Sequence, residues 1–396
     1  MASLSAATGL IWTKGLKYGG LGLGGIVLAG DRLFVSTGDE IQILSQDGEV
    51  LNEYQDTGGT PNSPLTADQA GNVYFVADVA VRSLDNDGNL RWTSRPFPPP
   101  KHLDPGVPDL TQVPLILSNI SGAVFGARGD TTYSVDMANG DVKWSLPQSG
   151  AGVPIAGAGR TLFLESNVGT RVFDTSTKEV LGKLDAGDGR KVRFSSPYAR
   201  AGSGAGFGVL GYVCVANTGF VSLDPCGKRR WSFKDQDVQF ASLIGAEELL
   251  ISLAFGFDRV ANVRSATDKL MAYNSEGARV AGPVETSPFV GASNLAQEMP
   301  IFAGADGTTY TIYCDGVAEK ALFQAFGVDF RESWRVDLGA GCPRGTGVLS
   351  ARGVVYLTRE SFGLAEVIAI QTTSPGLARS SWPTLRHDNQ GTSWLQ

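Results

Sequence analysis

The chain has 396 residues, of which 51 are glycine, 42% are hydrophobic and only 18% are charged. Its net charge of -7 and its pI of about 5.0 exclude the basic surface that neutralises nucleic-acid phosphates. No run of about 18 consecutive apolar residues occurs, which excludes a membrane-spanning helix. Frequent glycine with evenly spread β-branched and aromatic residues predicts an all-β fold of short strands and tight turns.

The chain begins with "MASLSAATG", which has neither the basic nor the apolar region of a secretory signal. We therefore expect either a cytosolic protein or one whose targeting segment has been removed. The next stretch, "TGLIWTKGL" (Thr8 to Leu16), reads as a strand without a nearby partner. Gly20, Gly22 and Gly25 then have the GxGxxG spacing, but a strand follows where a dinucleotide site needs a helix, so a flexible lead into the first sheet is the better interpretation.

A repeated phrase organises the rest of the chain: a small residue, an apolar residue, Asp, a turn with Gly, and Trp. It occurs as "SLDNDGNLRW" (83–92), "SVDMANGDVKW" (134–144) and "SLDPCGKRRW" (222–231), with a degenerate copy in "AFGVDFRESW" (325–334). Two further copies, 43–52 and 271–282, keep the turn and lack the Trp. Each phrase predicts a strand C, a tight turn and a strand D.

A second hairpin precedes each phrase and supplies strands A and B. Its runs, such as "VYFVA" (73–77), are apolar on both faces, so these strands must be covered on both sides. Eight four-stranded units can be counted: 25–56, 62–95, 113–147, 150–185, 195–235, 240–284, 286–339 and 341–373.

The eighth unit stops at "TTSPG" without a fourth strand. The unpaired strand at 8–16 can complete it, which would close a ring of sheets and leave no free edge. We therefore predict a single domain over 1–396, with a closing strand at 8–16, blades at 25–373 and a C-terminal extension at 374–396. Trp12 would then occupy the position of the other repeat tryptophans.

These repeats resemble those of quinoprotein-type β-propellers, and "SVDMANGDVKW" is similar to their tryptophan-docking motif. Such pyrroloquinoline-quinone-like repeats occur in quinone-dependent alcohol dehydrogenases and in the non-enzymatic eight-bladed lipoprotein of the outer-membrane protein assembly machinery. "WPTLRHDNQGTS" (382–393) is similar to a segment that accompanies such propellers in bacterial secreted proteins. The resemblance implies an eight-bladed propeller that works outside the bacterial cytoplasm. It also implies that five tryptophans wedge neighbouring blades: Trp12, Trp92, Trp144, Trp231 and Trp334.

Sequence patterns for catalysis or metal binding are weak. The segment "DNDGN" (85–89) can begin a calcium loop, but Pro96 stands where a bidentate Glu is needed, so a tight turn is the better interpretation. The only histidines, His102 and His387, are far apart, and the chain lacks HExxH, CxxC and CxxCH motifs. A quinone dehydrogenase would carry adjacent cysteines, calcium ligands and a catalytic Asp, whereas all four cysteines here are isolated. We expect no cofactor and no catalysis.

The longest predicted insertions fall on one side of the sheets, where B–C turns and D–A connections emerge. They are Ser94 to Gln112, Phe255 to Asp268 and Thr358 to Glu366. Such loops on a rigid scaffold are typical of protein-binding surfaces, although solvated loops are an equally good interpretation of each one. Three arginines in these insertions are the expected anchors for a protein partner: Arg259, Arg264 and Arg359.

We therefore predict a non-catalytic protein-binding or scaffolding propeller of the bacterial cell envelope or a secreted protein. Two alternatives stay open: a quinone-dependent or other small-molecule enzyme that uses the central funnel, and a structural subunit of a larger surface assembly. Among three pairings of four cysteines, Cys314 with Cys342 is favoured if the chain is extracytoplasmic, because both are predicted on the elaborated side. Cys214, in "GYVCVAN", is expected to pack as a buried thiol.

Overall fold

The structure is a computed structural model of the chain. It describes residues 8–17, 25–38, 40–55, 59, 61, 63–98, 115–129, 131–147, 154–156, 161–166, 169–183, 212–213, 219–223, 229–234, 238–246, 249–258, 263–288, 301–315, 320–361, 364–380 and 384. Within these residues the regular structure consists of 31 β-strands in eight antiparallel sheets. The prediction of an all-β fold with many four-stranded sheets is confirmed.

The first four sheets follow one another along the chain, and we letter their strands A to D in chain order. The first contains β2 (Ile26–Ala29), β3 (Arg32–Ser36), β4 (Glu40–Ser45) and β5 (Val50–Gln55). The second contains β6 (Thr66–Ala67), β7 (Val73–Ala77), β8 (Ala80–Leu84) and β9 (Leu90–Thr93). The third contains β10 (Ile116–Ser118), β11 (Ala123–Arg128), β12 (Thr131–Asp136) and β13 (Val142–Pro147). The fourth contains β14 (Pro154–Ala156), β15 (Thr161–Ser166), β16 (Gly169–Asp174) and β17 (Val180–Lys183).

The later sheets include one that is shorter and one that is joined by the N-terminus. The fifth contains β18 (Tyr212–Val213), β19 (Gly219–Leu223) and β20 (Arg229–Lys234). The sixth contains β21 (Val238–Ile244), β22 (Leu250–Asp258), β23 (Val263–Tyr273) and β24 (Arg279–Pro288). The seventh contains β25 (Phe302–Ala303), β26 (Thr309–Asp315), β27 (Lys320–Phe326) and β28 (Glu332–Ala340). The eighth contains β29 (Cys342–Leu349), β30 (Val354–Ser361), β31 (Leu364–Gln371) and β1 (Gly9–Gly15).

The bounds of the predicted units stay a prediction, and β24 of the sixth sheet runs to Pro288, past the predicted end of its unit at 284. Only the fifth sheet departs from four strands, because the predicted first strand of that unit lies outside the described residues. The apolar runs are buried as predicted: every residue of β7 is buried. Neighbouring sheets share their cores, since Phe34 and Ile41 of the first sheet pack in one cluster with Ala67 and Phe75 of the second.

The strand β1 forms the outer edge of the eighth sheet, next to β31. Trp12 pairs with Ala369, and the register shifts by one residue between Leu10 and Trp12. This pairing gives the eighth sheet its fourth strand from the other end of the chain. Leu16 continues the ladder, since its N–H donates to the carbonyl oxygen of Ala365 at 2.9 Å.

The register shift in β1 recurs at the same place in the outer strand of every sheet. In the second sheet, for example, Ser83 pairs with Trp92 and Leu84 with Leu90, which leaves Arg91 as the extra residue of a β-bulge. The eight extra residues are Leu51, Arg91, Lys143, Leu181, Arg230, Val280, Ser333 and Ile11. The residue after the bulge therefore pairs with strand C at the same position in every sheet. In five sheets this residue is Trp.

Candidate functional site

In four sheets a repeat tryptophan belongs to a row of three side chains that crosses the sheet from strand B to strand D. In the second sheet Tyr74 on strand B and Trp92 on strand D both pair with Ser83 between them, and their rings are 5.8 Å apart. Because Ser83 is small, the indole of Trp92 can lie over strand C and reach the ring of Tyr74 on strand B. The same row occurs as Phe125, Ser134, Trp144, as Tyr310, Ala325, Trp334, and as Tyr356, Ala369, Trp12, with ring distances of 5.8, 5.9 and 5.8 Å.

Three of the repeat tryptophans, Trp92, Trp231 and Trp12, also dock on the C–D turn of the next sheet. Nε1 of Trp92 donates to the Met137 carbonyl oxygen at 3.1 Å, and a Cβ atom at Gly140 would lie 2.5 Å from its ring. Gly140 has φ +80, so glycine is required here for both the turn and the close approach. Likewise Nε1 of Trp231 donates to the Ser275 carbonyl oxygen at 2.7 Å. The role of the five tryptophans as wedges between blades stays a prediction.

The eighth and first sheets meet through contacts like those between the first and second. A Cβ atom at Gly48 would lie 3.2 Å from the ring of Trp12. Arg352, in the A–B turn of the eighth sheet, pairs with Asp47 in the C–D turn of the first at 3.0 Å. Arg32 pairs in the same way with Asp87 of the second sheet at 2.5 Å.

Two more contacts join the eighth and first sheets. The hydroxyl of Tyr356 donates to the Gln46 carbonyl oxygen at 3.0 Å, and the Ile26 N–H donates to Oγ1 of Thr346 at 3.0 Å. Burial raises the pKa of Tyr356 to about 12, so its hydroxyl stays neutral and keeps its proton for this bond.

The sixth to eighth sheets are taller than the first four on the side where B–C turns emerge. Strands B and C have nine and eleven residues in the sixth sheet and eight each in the eighth, against five and six in the first and five each in the second. We call the B–C ends of these three sheets the raised hairpins. The predicted loops Phe255 to Asp268 and Thr358 to Glu366 are therefore mostly strand, which corrects their description as loops.

The structure separates the three arginines that were predicted as anchors. Arg259 lies outside the described residues, and Arg264 pairs through its backbone with Phe257 while its side chain is not described. Arg359 was expected in an exposed loop, and this was wrong: it lies in β30 and its side chain is only 13% exposed. Its role as an anchor stays a prediction.

Arg359 instead fastens the eighth sheet to the seventh. Its Nε donates to Oε2 of Glu366 at 2.7 Å on the facing strand, and its Nη1 donates to the carbonyl oxygen of Leu338 in β28. Because both partners are fixed in strands, the guanidinium holds the raised hairpin of the eighth sheet against the outer strand of the seventh. No sequence pattern indicated this role.

The third predicted insertion, Ser94 to Gln112, is described only at its start. Phe97 is buried and its ring stacks on that of Tyr133 at 4.2 Å, and Arg128 donates to the Phe97 carbonyl oxygen. The start of this segment, just after the second sheet, is therefore held against the third sheet. Its remaining predicted residues, including His102, lie outside the described part of the chain, as do His387 and the glycines at 20 and 22.

Cys342 begins β29, is buried, and is disulfide-bonded. The side chains of Cys214, Cys226 and Cys314 are outside the described residues, so the pairing with Cys314 stays a prediction. The position of Cys342 favours Cys314 as its disulfide partner. Ala321, which pairs with Cys314 in the seventh sheet, packs in the same core cluster as Cys342.

The turns on the opposite side are held by their own carboxylates. Oδ1 of Asp85 accepts the N–H groups of Asp87 and Asn89, which confirms the predicted tight turn at 85–89. In the third sheet Lys143 lies 2.9 Å from Asp136 and, by hydrogen bonding, lowers the pKa of that carboxyl. In the part of the chain described, no group of three His, Cys, Asp or Glu residues is placed to hold a metal ion. A search of the same residues found no helix with the length and hydropathy of a membrane span.

The C-terminal extension is not separate from the sheets, which the sequence did not indicate. After β31 the chain crosses the A–B turns of the eighth and seventh sheets, where the Thr372 N–H donates to the Gly353 carbonyl oxygen at 2.8 Å and Thr373 donates to Asp306 at 3.0 Å. It then runs along β25, with bridges from Leu377 to Gly304 and from Thr384 to Phe302.

Comparison with known proteins places this architecture among the β-propellers. The C-terminal WD40 domain of Sif2 is 11% identical with a TM-score of 0.56, over 92% of this chain and 97% of that one. The dihydro-haem d1 dehydrogenase NirN is 13% identical with a TM-score of 0.53, over 81% and 67%. A streptogramin B lyase is 12% identical with a TM-score of 0.50, over 93% and 100%. No family model and no curated protein matches the chain.

All three structures are β-propeller proteins, so the fold of this chain is of that class. At 11 to 13% identity the likeness shows the fold alone. Two of the three are enzymes by their names and one is a WD40 domain, so activity differs among proteins of this shape.

Proposed function

We propose that this chain is an eight-bladed β-propeller, closed by its N-terminal strand, that acts without catalysis as a protein-binding scaffold. The position of β1 supports the ring, because Trp12 repeats both the row across the sheet and the contact with the next turn glycine. The same docking of tryptophan on glycine supports the likeness to quinoprotein-type propellers. Closure of the ring would remove the open edges of the first and last blades.

The raised hairpins are the observation that carries the binding function. Three adjacent blades extend on the side where their B–C turns emerge, and together they form a raised surface on a rigid scaffold. Propellers present their variable segments at this place. Arg359 holds the hairpin of the eighth sheet closed and against the outer strand of the seventh, so this part of the raised surface is fixed before a partner arrives. In this proposal Arg259 and Arg264 are the anchors that contact the partner.

We place the protein outside the cytoplasm, in the bacterial envelope or secreted. The disulfide at Cys342 supports this, because such bonds form and persist in oxidising compartments. The proposal of no catalysis and no cofactor rests on the sequence, whose cysteines are isolated and whose two histidines are far apart. An absorbance spectrum of protein purified from its native source tests it, because a bound quinone would add a band beyond the protein absorption.

Photo-crosslinking tests the binding side with two matched positions. Leu364 in a raised hairpin is 63% exposed, and Val328 in a turn on the opposite side is 75% exposed. A photoreactive benzoylphenylalanine at position 364 should crosslink one defined protein in native cells, and the same residue at position 328 should not. Crosslinking from 328 alone would move the site to the other side. No adduct from either position, together with a bound chromophore, would favour the enzyme alternative.

A further inference from the structure

The C–D turn of the third sheet contains the only Asn–Gly dipeptide in the sequence, Asn139–Gly140. Asn139 is exposed, and Gly140 has φ +80. Such a pair is favoured in tight turns because glycine adopts a positive φ without strain. The pair is also reactive, because glycine has no side chain to shield its backbone nitrogen from the neighbouring side-chain amide. The turn therefore contains two atoms that can react with each other, the nitrogen of Gly140 and Cγ of Asn139.

The reaction between these atoms needs no co-reactant other than water. The backbone nitrogen of Gly140 attacks Cγ of Asn139, the bond from Cγ to Nδ2 breaks, and the amide leaves as ammonia with the proton that Gly140 gives up. The five-membered imide that forms then takes up water at one of its two carbonyl carbons. Its opening gives either aspartate at position 139 or isoaspartate, in which the main chain runs through Cγ and is one methylene longer.

The hydrogen bonds of the folded turn oppose this attack. The Gly140 N–H donates to the Asp136 carbonyl oxygen at 2.9 Å, so the attacking nitrogen is engaged in closing the turn. The side chain of Asn139 is fixed by Asp141: its Oδ1 accepts the Asp141 N–H at 3.0 Å, and its Nδ2 donates to Oδ2 of Asp141 at 2.9 Å. The turn must therefore open before the nitrogen can reach Cγ.

Trp92 of the second sheet keeps this turn closed. A Cβ atom at Gly140 would lie 2.5 Å from its ring, and its Nε1 donates to the Met137 carbonyl oxygen at 3.1 Å. The indole therefore covers Gly140 and holds the main chain of the turn at two points. Because the turn can open freely only when the indole leaves, the population of the open turn depends on this contact between the two sheets.

We propose that Asn139 is a modification site of this protein, which is converted to aspartate or isoaspartate at a rate set by the docking of Trp92 on Gly140. Both products oppose closure of the turn. Aspartate places a second carboxylate beside Oδ2 of Asp141, which now accepts the Asn139 amide at 2.9 Å. Isoaspartate lengthens the main chain next to Gly140, where the indole leaves no space for a further carbon atom.

The conversion is therefore a one-way record of opening between the second and third sheets. The turn lies on the side opposite the raised hairpins, because it joins strands C and D. The inference goes beyond the proposed function, which places a partner on the raised hairpins, and does not depend on it.

Peptide mapping of the full-length chain by mass spectrometry tests this inference. Folded protein is incubated at mildly alkaline pH, and the fraction of residue 139 that has become an acid is followed over time. The same chain unfolded in urea is the unprotected reference, and the folded wild type should convert much more slowly than this reference. Trp92→Ala should convert about tenfold or more faster than the folded wild type, because the rate follows the population of the open turn.

Trp12→Ala is the matched control, because it removes the same kind of side chain from a contact with Gly48 in a different turn. It should convert residue 139 at nearly the wild-type rate. If Trp92→Ala does not fold, Trp92→Phe serves in its place and should also convert faster, since it loses the hydrogen bond to Met137. Equal acceleration by the variant at position 92 and by Trp12→Ala would overturn the inference, because conversion would then follow global unfolding. Conversion of the folded wild type as fast as the unfolded chain would overturn it too.

Discussion

Replacement of Trp12 by alanine should destabilise the whole protein, because this side chain joins the last sheet to the first. Trp12 is partly buried against Tyr356 and Gly48. Loss of about half of the ~200 Å² that a tryptophan buries costs about 2.5 kcal/mol, and loss of the ring pair costs about 0.5 kcal/mol more. At about 2.1 cal/mol/K per residue the unfolding entropy of this chain is roughly 0.8 kcal/mol/K, so about 3 kcal/mol lowers Tm by roughly 4 °C.

Differential scanning calorimetry of three variants makes this test specific. Trp144→Ala removes the equivalent side chain from a sheet whose strands are continuous in sequence, and its Tm should fall by a similar amount. Ile11→Ala changes the neighbouring bulge residue, which is 50% exposed, and should cost less than about 0.5 kcal/mol. The reasoning is refuted if Trp12→Ala melts within one degree of the wild type while Trp144→Ala falls by several degrees.

Three further outcomes are expected. Arg359→Ala should lower Tm, because it breaks the ion pair with Glu366 and the hydrogen bond to Leu338. The control Arg331→Ala changes a side chain that is 87% exposed and should leave Tm unchanged. Equal Tm values for the two variants would contradict the structural role of Arg359. Burial raises the pKa of Tyr356 from 10.0 to about 12, so its neutral form stabilises the fold fully below pH 10 and this contribution is lost as pH rises towards 12. The free energy of unfolding measured in urea should therefore fall less steeply over that pH range in the Tyr356→Phe variant than in the wild type. An identical fall in both would contradict the raised pKa of Tyr356. Alkylation of the unfolded, unreduced protein should leave two of the four cysteines unmodified, with Cys342 paired to Cys314; four modified cysteines would exclude the disulfide.

The repeat could be predicted because its signal is local. Three of the five tryptophans follow a glycine of the predicted turn by four residues, and the small residue before the turn stands opposite the Trp in the sheet, as Ser83 does for Trp92. The unpaired strand at the N-terminus is matched to the eighth unit because that unit lacks a fourth strand. The bulge before Trp12 could not be predicted, because an extra residue in a strand leaves no pattern in a single sequence.

The features that sequence missed depend on contacts between distant residues. "TRESFGLAE" has the composition of a loop, yet Arg359 and Glu366 face each other across a hairpin and neutralise each other, so the strands continue. "TTSPGLARS" has no alternation of apolar residues, and its path is set by the free edge of β25. Neither partner of these contacts can be recognised from local composition.

Closure of the ring is tested most directly by a distance between the first and last blades. Nitroxide labels, attached through unnatural amino acids so that the native cysteines are untouched, are placed at the bulge positions of adjacent outer strands. One pair is Ile11 with Leu51, across the eighth and first sheets, and the reference pair is Leu51 with Arg91, across the first and second. Double electron–electron resonance should give two narrow distributions with closely similar means. A broad or distinctly longer distribution for the pair at 11 and 51 would contradict a ring closed by the N-terminal strand.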